Sequence, residues 1–252
     1  MVQRLKGANM TLARTSGEPS IPNEGAYTVI DFEFPDRLNI IAALQVGKPL
    51  ILRGMDLSGI ELSRLDFSGA VFERCILIGT DFTGSTLDST HWRGCRGAES
   101  IFRSVSANDA QFQSSDLNNT KWSRSKLTHS SFKACKLTGA DLSDCSTLGL
   151  TFNDTVLRNA ILTGISFYKE HLDTLDFADA DVAGCDFRQA VFGEGCSLAN
   201  ARIVEARFEQ ADLRGADLAG ILMSDPRQFK NSLINPTQAA QLIKGLGLRV
   251  SI

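Results

Sequence analysis

The chain carries six cysteines and three histidines, the side chains that most often hold a metal, form a disulfide or make a nucleophile–base pair. Their spacing argues against each of these chemistries. The sequence has no Cys-x-x-Cys pair, and no cysteine–histidine spacing matches a zinc motif. It also lacks a Gly-x-Ser-x-Gly nucleophile elbow and a glycine-rich phosphate-binding loop. We therefore expect a protein that is not an enzyme and that has no metal and no cofactor.

A repeat of five residues explains where these side chains fall. Large apolar residues recur at every fifth position over 52–192; the phase then slips by one residue within 193–195, and the series resumes over 198–223. Of the 35 positions, 32 carry a large apolar residue, and the exceptions are Gly97, Ala107 and Thr147. A period of five fits neither a helix nor a strand. It fits a chain that turns a corner every five residues and buries one side chain per side, so that four sides form one coil.

A second, smaller residue lies two positions before each large one. It is Ala, Cys, Ser or Thr in 25 of 35 cases, as expected where two side chains share a narrow interior. All six cysteines fall in this register, namely Cys75, Cys95, Cys135, Cys145, Cys185 and Cys196. They are predicted to be buried packing residues, with Cys75 and Cys95 one coil apart on the same side. The histidines His91, His129 and His171 fall at outward positions.

One column of aromatic residues repeats every twenty positions and has two interpretations. Its members are Phe72, Trp92, Phe112, Phe132 and Phe152. Exposed aromatic rings at regular spacing would be typical of a platform for stacking nucleic-acid bases. In this register, however, the rings point inward, and we expect them to stack in the core.

Two pentads carry a family resemblance. Residues 140–144 (ADLSD) and 211–215 (ADLRG) resemble the A(D/N)Lxx consensus of the pentapeptide-repeat family, and the resemblance covers roughly residues 50–225. It implies an all-β solenoid, a right-handed quadrilateral β-helix of nearly nine coils. We expect three parts: a leader with a capping strand and helix (1–49), the repeat domain (50–225), and a C-terminal helix and strand (226–252).

Both ends of a solenoid need caps, because unpaired strand edges invite association. A strand is predicted over 27–34, and Asp36 is the predicted N-cap of a helix over about 37–46. The side chains expected to cover the first coil are Leu38, Ile41 and Leu44. Residues 1–24 are polar, and two interpretations of them stay open: a disordered tail or an export signal.

At the C-terminus, Asn235 and Pro236 are typical of the N-cap and first residue of a helix that runs to about Lys244. The final residues alternate as in a strand. The apolar side chains of this end are Leu242, Ile243, Leu246, Leu248, Val250 and Ile252. They either cap the last coil or form a homodimer, and the two roles are compatible.

Residues 235–252 resemble the C-terminal end of the quinolone-resistance (Qnr) pentapeptide proteins, where a Gln-Ala-rich helix leads into a leucine-glycine-aliphatic strand. The resemblance implies a two-fold dimer whose rod mimics duplex DNA and binds DNA gyrase or topoisomerase IV. The large loops that interrupt the coils of Qnr proteins are missing here. The chain has only the one-residue insertion near 193–195.

Charge is distributed unevenly along the repeat. Residues 50–140 hold eleven Lys/Arg and nine Asp/Glu, a net charge of +2, whereas residues 141–225 hold six and fifteen, a net charge of −9. The acids proposed to bind a partner are Glu170, Asp173, Asp176, Asp179, Asp181, Asp186, Asp212 and Asp217. A DNA mimic needs negative charge where its partner expects phosphates. These acids could equally form a collar around the rod, and Asp is favoured by the repeat itself.

The first hypothesis is therefore a non-catalytic, dimeric DNA mimic that protects a topoisomerase from a quinolone or a toxin. The alternative is a protein-interaction scaffold of another kind, such as a secreted bacterial effector. A net charge of −3 argues against direct binding of nucleic acid. The sequence has no run of 18 apolar residues and no signal-peptide core, so we expect a cytoplasmic protein without a membrane span.

Overall fold

The computed structural model describes residues 4–5, 24–30, 32–223, 225–247 and 249. In them the chain winds into a four-sided parallel β-solenoid, in which each side lies above the side twenty residues earlier. The strands are β1 (Arg4–Leu5), β2 (Thr28–Ile30), β3 (Leu50–Arg53), β4 (Val71–Glu73), β5 (His91–Arg93), β6 (Gln111–Gln113), β7 (Ser131–Lys133), β8 (Thr151–Asn153), β9 (His171–Leu172), β10 (Val191–Phe192), β11 (Cys196–Ser197) and β12 (Ala216–Asp217). The helices are α1 (Arg37–Leu44) and α2 (Pro236–Gly245), with short 3-10 turns at Glu24–Ala26 and Pro226–Phe229.

We name the four faces by the residues of one coil: face 1 at 71–74, face 2 at 76–79, face 3 at 81–84 and face 4 at 86–89. Face 1 carries an eight-stranded parallel sheet in the order β1 to β8, followed by the separate pair β9 and β10. The other faces are held by parallel bridges between residues twenty apart, such as Ile76 with Arg96. The predicted fold class is confirmed.

The large repeat positions form the core, and the aromatic column predicted there is confirmed. On face 1, Phe72 and Trp92 stack with ring centroids 3.9 Å apart and planes within 7°. On face 3, Phe102 and Trp122 stack at 4.0 Å. A third column lies on face 4 in the second half of the rod and contains Phe167, Phe187, Phe208 and Phe229. These rings fill the interior, so they are not a surface for stacking bases.

The small inward residues bond one coil to the next. The Thr80 hydroxyl donates to the Leu57 carbonyl at 2.8 Å, and the Ser100 hydroxyl donates to the Leu77 carbonyl at 2.6 Å. The cysteine thiols do the same, and burial raises the pKa of Cys135 to about 11 and that of Cys185 to about 12. Such thiols are inert packing groups. Cys145 departs from the prediction, because it is only half-buried.

The phase slip in the sequence is a one-residue insertion in the solenoid. Before it, bridges join residues twenty apart, and bridges that span it join residues 21 apart, as in Asp176 with Ser197. Beyond it, Cys196 and Ala216 are again twenty apart. Gly195 adopts a φ of +85° at the insertion, a conformation that favours glycine. Gly215, in the next coil, packs directly against the backbone of Gly193. A β-carbon on residue 215 would come within 2.6 Å of the Gly193 carbonyl.

At the N-terminal end, α1 begins at the predicted N-cap. Asp36 and Asn39 exchange side-chain hydrogen bonds to each other's backbone N–H, a capping box. The strand predicted over 27–34 is wrong in length, because β2 ends at Ile30 and Phe34 is 82% exposed. Leu38 was also placed wrongly: it is 72% exposed, and the helix buries Ile40 and Ala43 on the first coil instead.

At the C-terminal end, Asn235 caps α2 as predicted, and Gln238 completes a capping box. The Gln238 side chain also donates to the backbone carbonyls of Leu213 and Ala216 in the last coil, which anchors the helix. The predicted strand residues Leu248, Val250 and Ile252 lie outside the described residues. Among the described residues, no helix is both long and apolar enough to cross a bilayer.

Candidate protein-binding surface

The nominated acids surround the rod. Asp173 lies on face 1, Asp176 and Asp179 on face 2, Asp181 on face 3 and Asp186 on face 4. We call the last four the acidic collar. They do not form one stripe, because the repeat places Asp176, Asp181 and Asp186 at equivalent positions of three successive faces, and Asp179 shares face 2 with Asp176.

A local bond explains why aspartate is frequent at these positions. The Asp176 carboxylate accepts from the N–H of Ala178 at 3.0 Å, and Asp181 accepts from Ala183 in the same way. Such a bond to the N–H two residues on stabilises the turn at each corner. Part of the acidity of the second half is therefore structural.

Arginines of neighbouring coils neutralise much of the collar. Arg158 pairs with Asp176 at 3.0 Å and with Asp179 at 3.4 Å, and Arg202 pairs with Asp181 at 2.9 Å. Asp186 bonds to Arg188 and Arg207, each at 2.8 Å. The Arg188 hydrogen bond, aided by the Arg207 charge, lowers the pKa of Asp186, so it stays ionised. These pairs were not predicted, because most join residues about one coil apart in sequence.

Three acids lie on a single edge of the rod, at the end of face 1 that leads into the corner, in three successive coils. They are Asp154, Asp173 and Glu194, and we call them the acidic edge. All three are exposed, and within the described residues none has an ion-pair partner. Asp154 accepts a hydrogen bond from the Thr174 hydroxyl, and the Asp173 carboxylate lies over Gly193. Successive coils are spaced by about 4.8 Å, so the edge presents a row of closely spaced negative charges.

The sequence prediction contained Asp173 but missed Asp154 and Glu194. The signal was present in the register, since all three residues fall in the outward turn after a face 1 central residue. This signal was obscured in two ways. Asp173 follows its central residue by one position, whereas Asp154 and Glu194 follow theirs by two, and the insertion at 193–195 changes the sequence spacing between later coils. The edge is therefore visible only when the coils are stacked.

The remaining nominated acids have separate environments. Asp212 pairs with Arg214 at 2.6 Å, and Asp217 accepts from the Gln241 side chain of α2 at 3.1 Å. Glu170 occupies the register of a small inward residue, yet it is exposed. Its position is thus an irregularity of the solenoid as well as a surface charge.

Of the apolar residues predicted to cap the last coil or form a dimer, some are buried against the coil and others are exposed. Leu242 is only 6% exposed and packs in the core, so it caps the last coil. Ile243 and Leu246 are exposed, and so are Leu222 and Leu233 on the same end of the chain. The rod therefore ends in an apolar surface that α2 does not cover.

The residues with possible chemistry stay apart. His91 is half-buried, whereas His129 and His171 are exposed. The nearest acid to His129 is Asp109, at 3.8 Å. In the described part of the chain, no three His, Cys, Asp or Glu side chains are placed to hold a metal ion together.

The repeat and the four-sided architecture define a class. The family model for pentapeptide repeats matches eight copies, over residues 51–88, 81–119, 108–144, 135–169 and 194–225. The chain belongs to the pentapeptide-repeat family, whose fold is the right-handed quadrilateral β-helix.

Solved structures of QnrB1, described as a plasmid-mediated fluoroquinolone resistance protein, share this fold. A trypsin-treated variant of QnrB1 is 22% identical with a TM-score of 0.65, over 80% of this chain and 100% of that one. A second trypsin-treated variant is 23% identical with the same TM-score, over 79% and 99%. Full-length QnrB1 is 22% identical with a TM-score of 0.57, over 79% and 98%. No curated protein matches the sequence.

Proposed function

We propose that the protein binds a type II topoisomerase, DNA gyrase or topoisomerase IV, and presents the acidic edge where the enzyme expects DNA phosphates. The observation that carries the proposal is a row of acids that have no ion-pair partner among the described residues, on a rod with the fold of QnrB1. The protein would act without catalysis, in the cytoplasm, and would shield the enzyme from a quinolone or a toxin. The description of QnrB1 as a resistance protein supports this direction.

The electrostatics favour a protein partner over nucleic acid. Each strand of duplex DNA carries one phosphate per 3.4 Å of helix axis, and the acidic edge carries one carboxylate per coil, about 4.8 Å. A basic DNA channel would be attracted to this half of the rod, with its net charge of −9. The paired collar adds a rigid scaffold, because its arginines hold successive coils together.

A supercoiling assay with purified gyrase holoenzyme and a quinolone tests the proposal. Wild type at micromolar concentration is expected to restore supercoiling. The double variant Asp173→Lys/Glu194→Lys should need about tenfold more protein, because it reverses two unpaired charges. The matched control is Glu99→Lys/Asp109→Lys, which changes the net charge equally at exposed turn positions of the other half. The control should stay within about twofold of wild type. A wild type without effect, or equal losses in both variants, contradicts the proposal.

The dimer is the second part of the proposal, and it rests on Ile243 and Leu246. Leu246→Asp should dissociate the dimer in sedimentation equilibrium, because a buried carboxylate in an apolar interface is costly. Phe34→Asp is the control, since Phe34 is more exposed but lies at the opposite end. A wild type that sediments as a monomer would refute this part alone.

A further inference from the structure

Within the described repeat, the hydrogen bonding between two successive coils is interrupted on two of the four faces. Between segments 143–155 and 163–175, faces 4 and 1 lose the parallel bridges that join the coils above and below. Throughout this described region, residue 146 has no bridge to 166 and residue 151 has none to 171. We call this gap the fissure. On faces 2 and 3 the bridges continue without a break, through Val156 with Asp176 and Ile161 with Asp181.

Three side chains account for the fissure. Glu170 occupies an inward position where the coils before and after carry buried Ser130, Leu150 and Ala190. A carboxylate cannot be buried there without a partner, so the chain turns it outward. Thr147 replaces a large apolar residue at a central position and is half-exposed, and Cys145 beside it is half-exposed as well.

The backbone shows the consequence. One coil earlier, the N–H groups of Leu127 and His129 donate to the Ser146 and Leu148 carbonyls, each at 2.8 Å. The equivalent N–H groups of Thr147 and Gly149 make no such bond in the described structure. Amides that face a gap are left to water.

The aromatic core also changes at this level. The face 1 column ends at Phe152, and the face 4 column begins at Phe167. Between them the rings are 6.0 Å apart and tilted by 37°, unlike the parallel stacks on either side. Neither the sheet nor the ring column therefore passes from one half to the other on these faces.

We infer that the rod consists of two cooperative units that separate at the fissure. The N-terminal stack comprises residues 50–155 and the C-terminal stack residues 163–223. Segment 156–162 pairs with coils on both sides and acts as the hinge. Arg158, in this segment, clamps it to the collar through Asp176 and Asp179. In solenoids each coil is stabilised mainly by its neighbours, so a half-bonded interface uncouples the units.

The two tryptophans make the inference testable in the wild-type protein. Trp92 and Trp122 both lie in the N-terminal stack, so fluorescence excited at 295 nm reports that stack alone. Far-UV circular dichroism reports both stacks. In urea we expect two transitions by circular dichroism, only one of which coincides with the fluorescence change. Superimposable single transitions from the two probes would overturn the inference.

A repaired variant sharpens the test. Thr147→Leu/Glu170→Ala restores both rules of the repeat at the fissure and should merge the two transitions into one. The control Thr128→Leu/Glu194→Ala makes the same replacements at outward positions and should leave the two transitions separate.

Hydrogen exchange tests the fissure independently, in the wild-type protein. The amides of Thr147 and Gly149 should exchange at least about tenfold faster than those of Leu127 and His129. Equal protection of the two pairs would contradict the fissure itself.

Discussion

The N-terminal and C-terminal stacks fill the interior of the same four-sided coil with different residues. The N-terminal stack has aromatic columns on faces 1 and 3 and an inward ladder of Ser, Thr and Cys hydroxyls and thiols. The C-terminal stack has its aromatic column on face 4 and carries alanine at half of its twelve small inward positions. The five-residue rule fixes only size and polarity at each position, so either solution builds the same coil.

The outer surfaces differ more than the interiors. The N-terminal stack, residues 50–155, holds eleven Lys/Arg and twelve Asp/Glu, a net charge of −1, whereas the C-terminal stack, residues 163–223, holds five and eleven, a net charge of −6. Ion pairs with arginines neutralise the carboxylates of the collar, whereas those of the acidic edge have no such partners in the described structure. The comparison teaches that surface charge can be varied along the rod without disturbing the core. The acidic edge spans both stacks, since Asp154 belongs to the N-terminal stack and Asp173 and Glu194 belong to the C-terminal stack.

Truncating a core aromatic ring should give the largest effect and should show which stack the ring supports. Trp92→Ala removes a ring stacked on Phe72 and should destabilise the N-terminal stack by about 4 kcal/mol. Phe187→Ala should cost about 3 kcal/mol in the C-terminal stack. Urea unfolding followed by circular dichroism measures both. Leu148→Ala, at a side chain that is 74% exposed, should stay within about 0.5 kcal/mol of wild type.

The inward ladder should matter less than the rings. Ser100→Ala removes the hydroxyl that donates to the Leu77 carbonyl and should cost about 1–2 kcal/mol in the same unfolding assay. The converse change, Ala180→Ser, places a hydroxyl at the same register of the C-terminal stack. It should cost less than Ser100→Ala if the carbonyl of the coil before can accept its proton. A neutral Ser100→Ala would show that the ladder is dispensable.

A further effect, of about the same size as that of Ser100→Ala at neutral pH, depends on pH and belongs to the C-terminal stack. The folded-state pKa of Asp186 is lowered by its hydrogen bond to Arg188 and by Arg207. Its stabilising contribution is therefore present above the unfolded pKa, near 4, and is lost as the pH falls through the folded pKa. Asp186→Asn should cost about 1–2 kcal/mol at pH 7 and little below about pH 3.

The control for this pH dependence is Asp109→Asn, at an exposed carboxylate of the N-terminal stack. It should change stability by under about 0.5 kcal/mol at either pH. A pH-independent loss in Asp186→Asn would mean that the side chain acts by packing and not by charge.

The sequence predicted the interior well because one rule governs it. Every side of a coil must bury a large and a small side chain, so the five-residue register located the core, the cysteines and the insertion at 193–195. The helix caps were also predictable, since Asp36 and Asn235 stabilise helix N-termini by local bonds. The packing of the apolar residues at the N-terminal end was less predictable. Leu38 and Phe34 fit an apolar pattern, but which face of α1 meets the first coil depends on the angle at which the helix crosses it.

The candidate site was harder, because it depends on contacts between coils. Charge counting along the chain found the acidic half. It could not show that Arg158 and Arg202 neutralise the collar, or that Asp154 and Glu194 continue the edge begun by Asp173. The fissure was likewise hidden. Thr147 stood out as a break in the pattern, but Glu170 was counted as a charge and not as a carboxylate at an inward position.

Competition between the protein and duplex DNA for gyrase tests the central claim most directly. Fluorescence anisotropy of a labelled duplex bound to gyrase holoenzyme would be followed as unlabelled protein is added. If the acidic edge takes the place of phosphates, the protein displaces the duplex, and displacement weakens steeply with salt and is lost in Asp173→Lys/Glu194→Lys. A ternary complex in which gyrase holds the protein and the duplex with undiminished affinity would contradict the account.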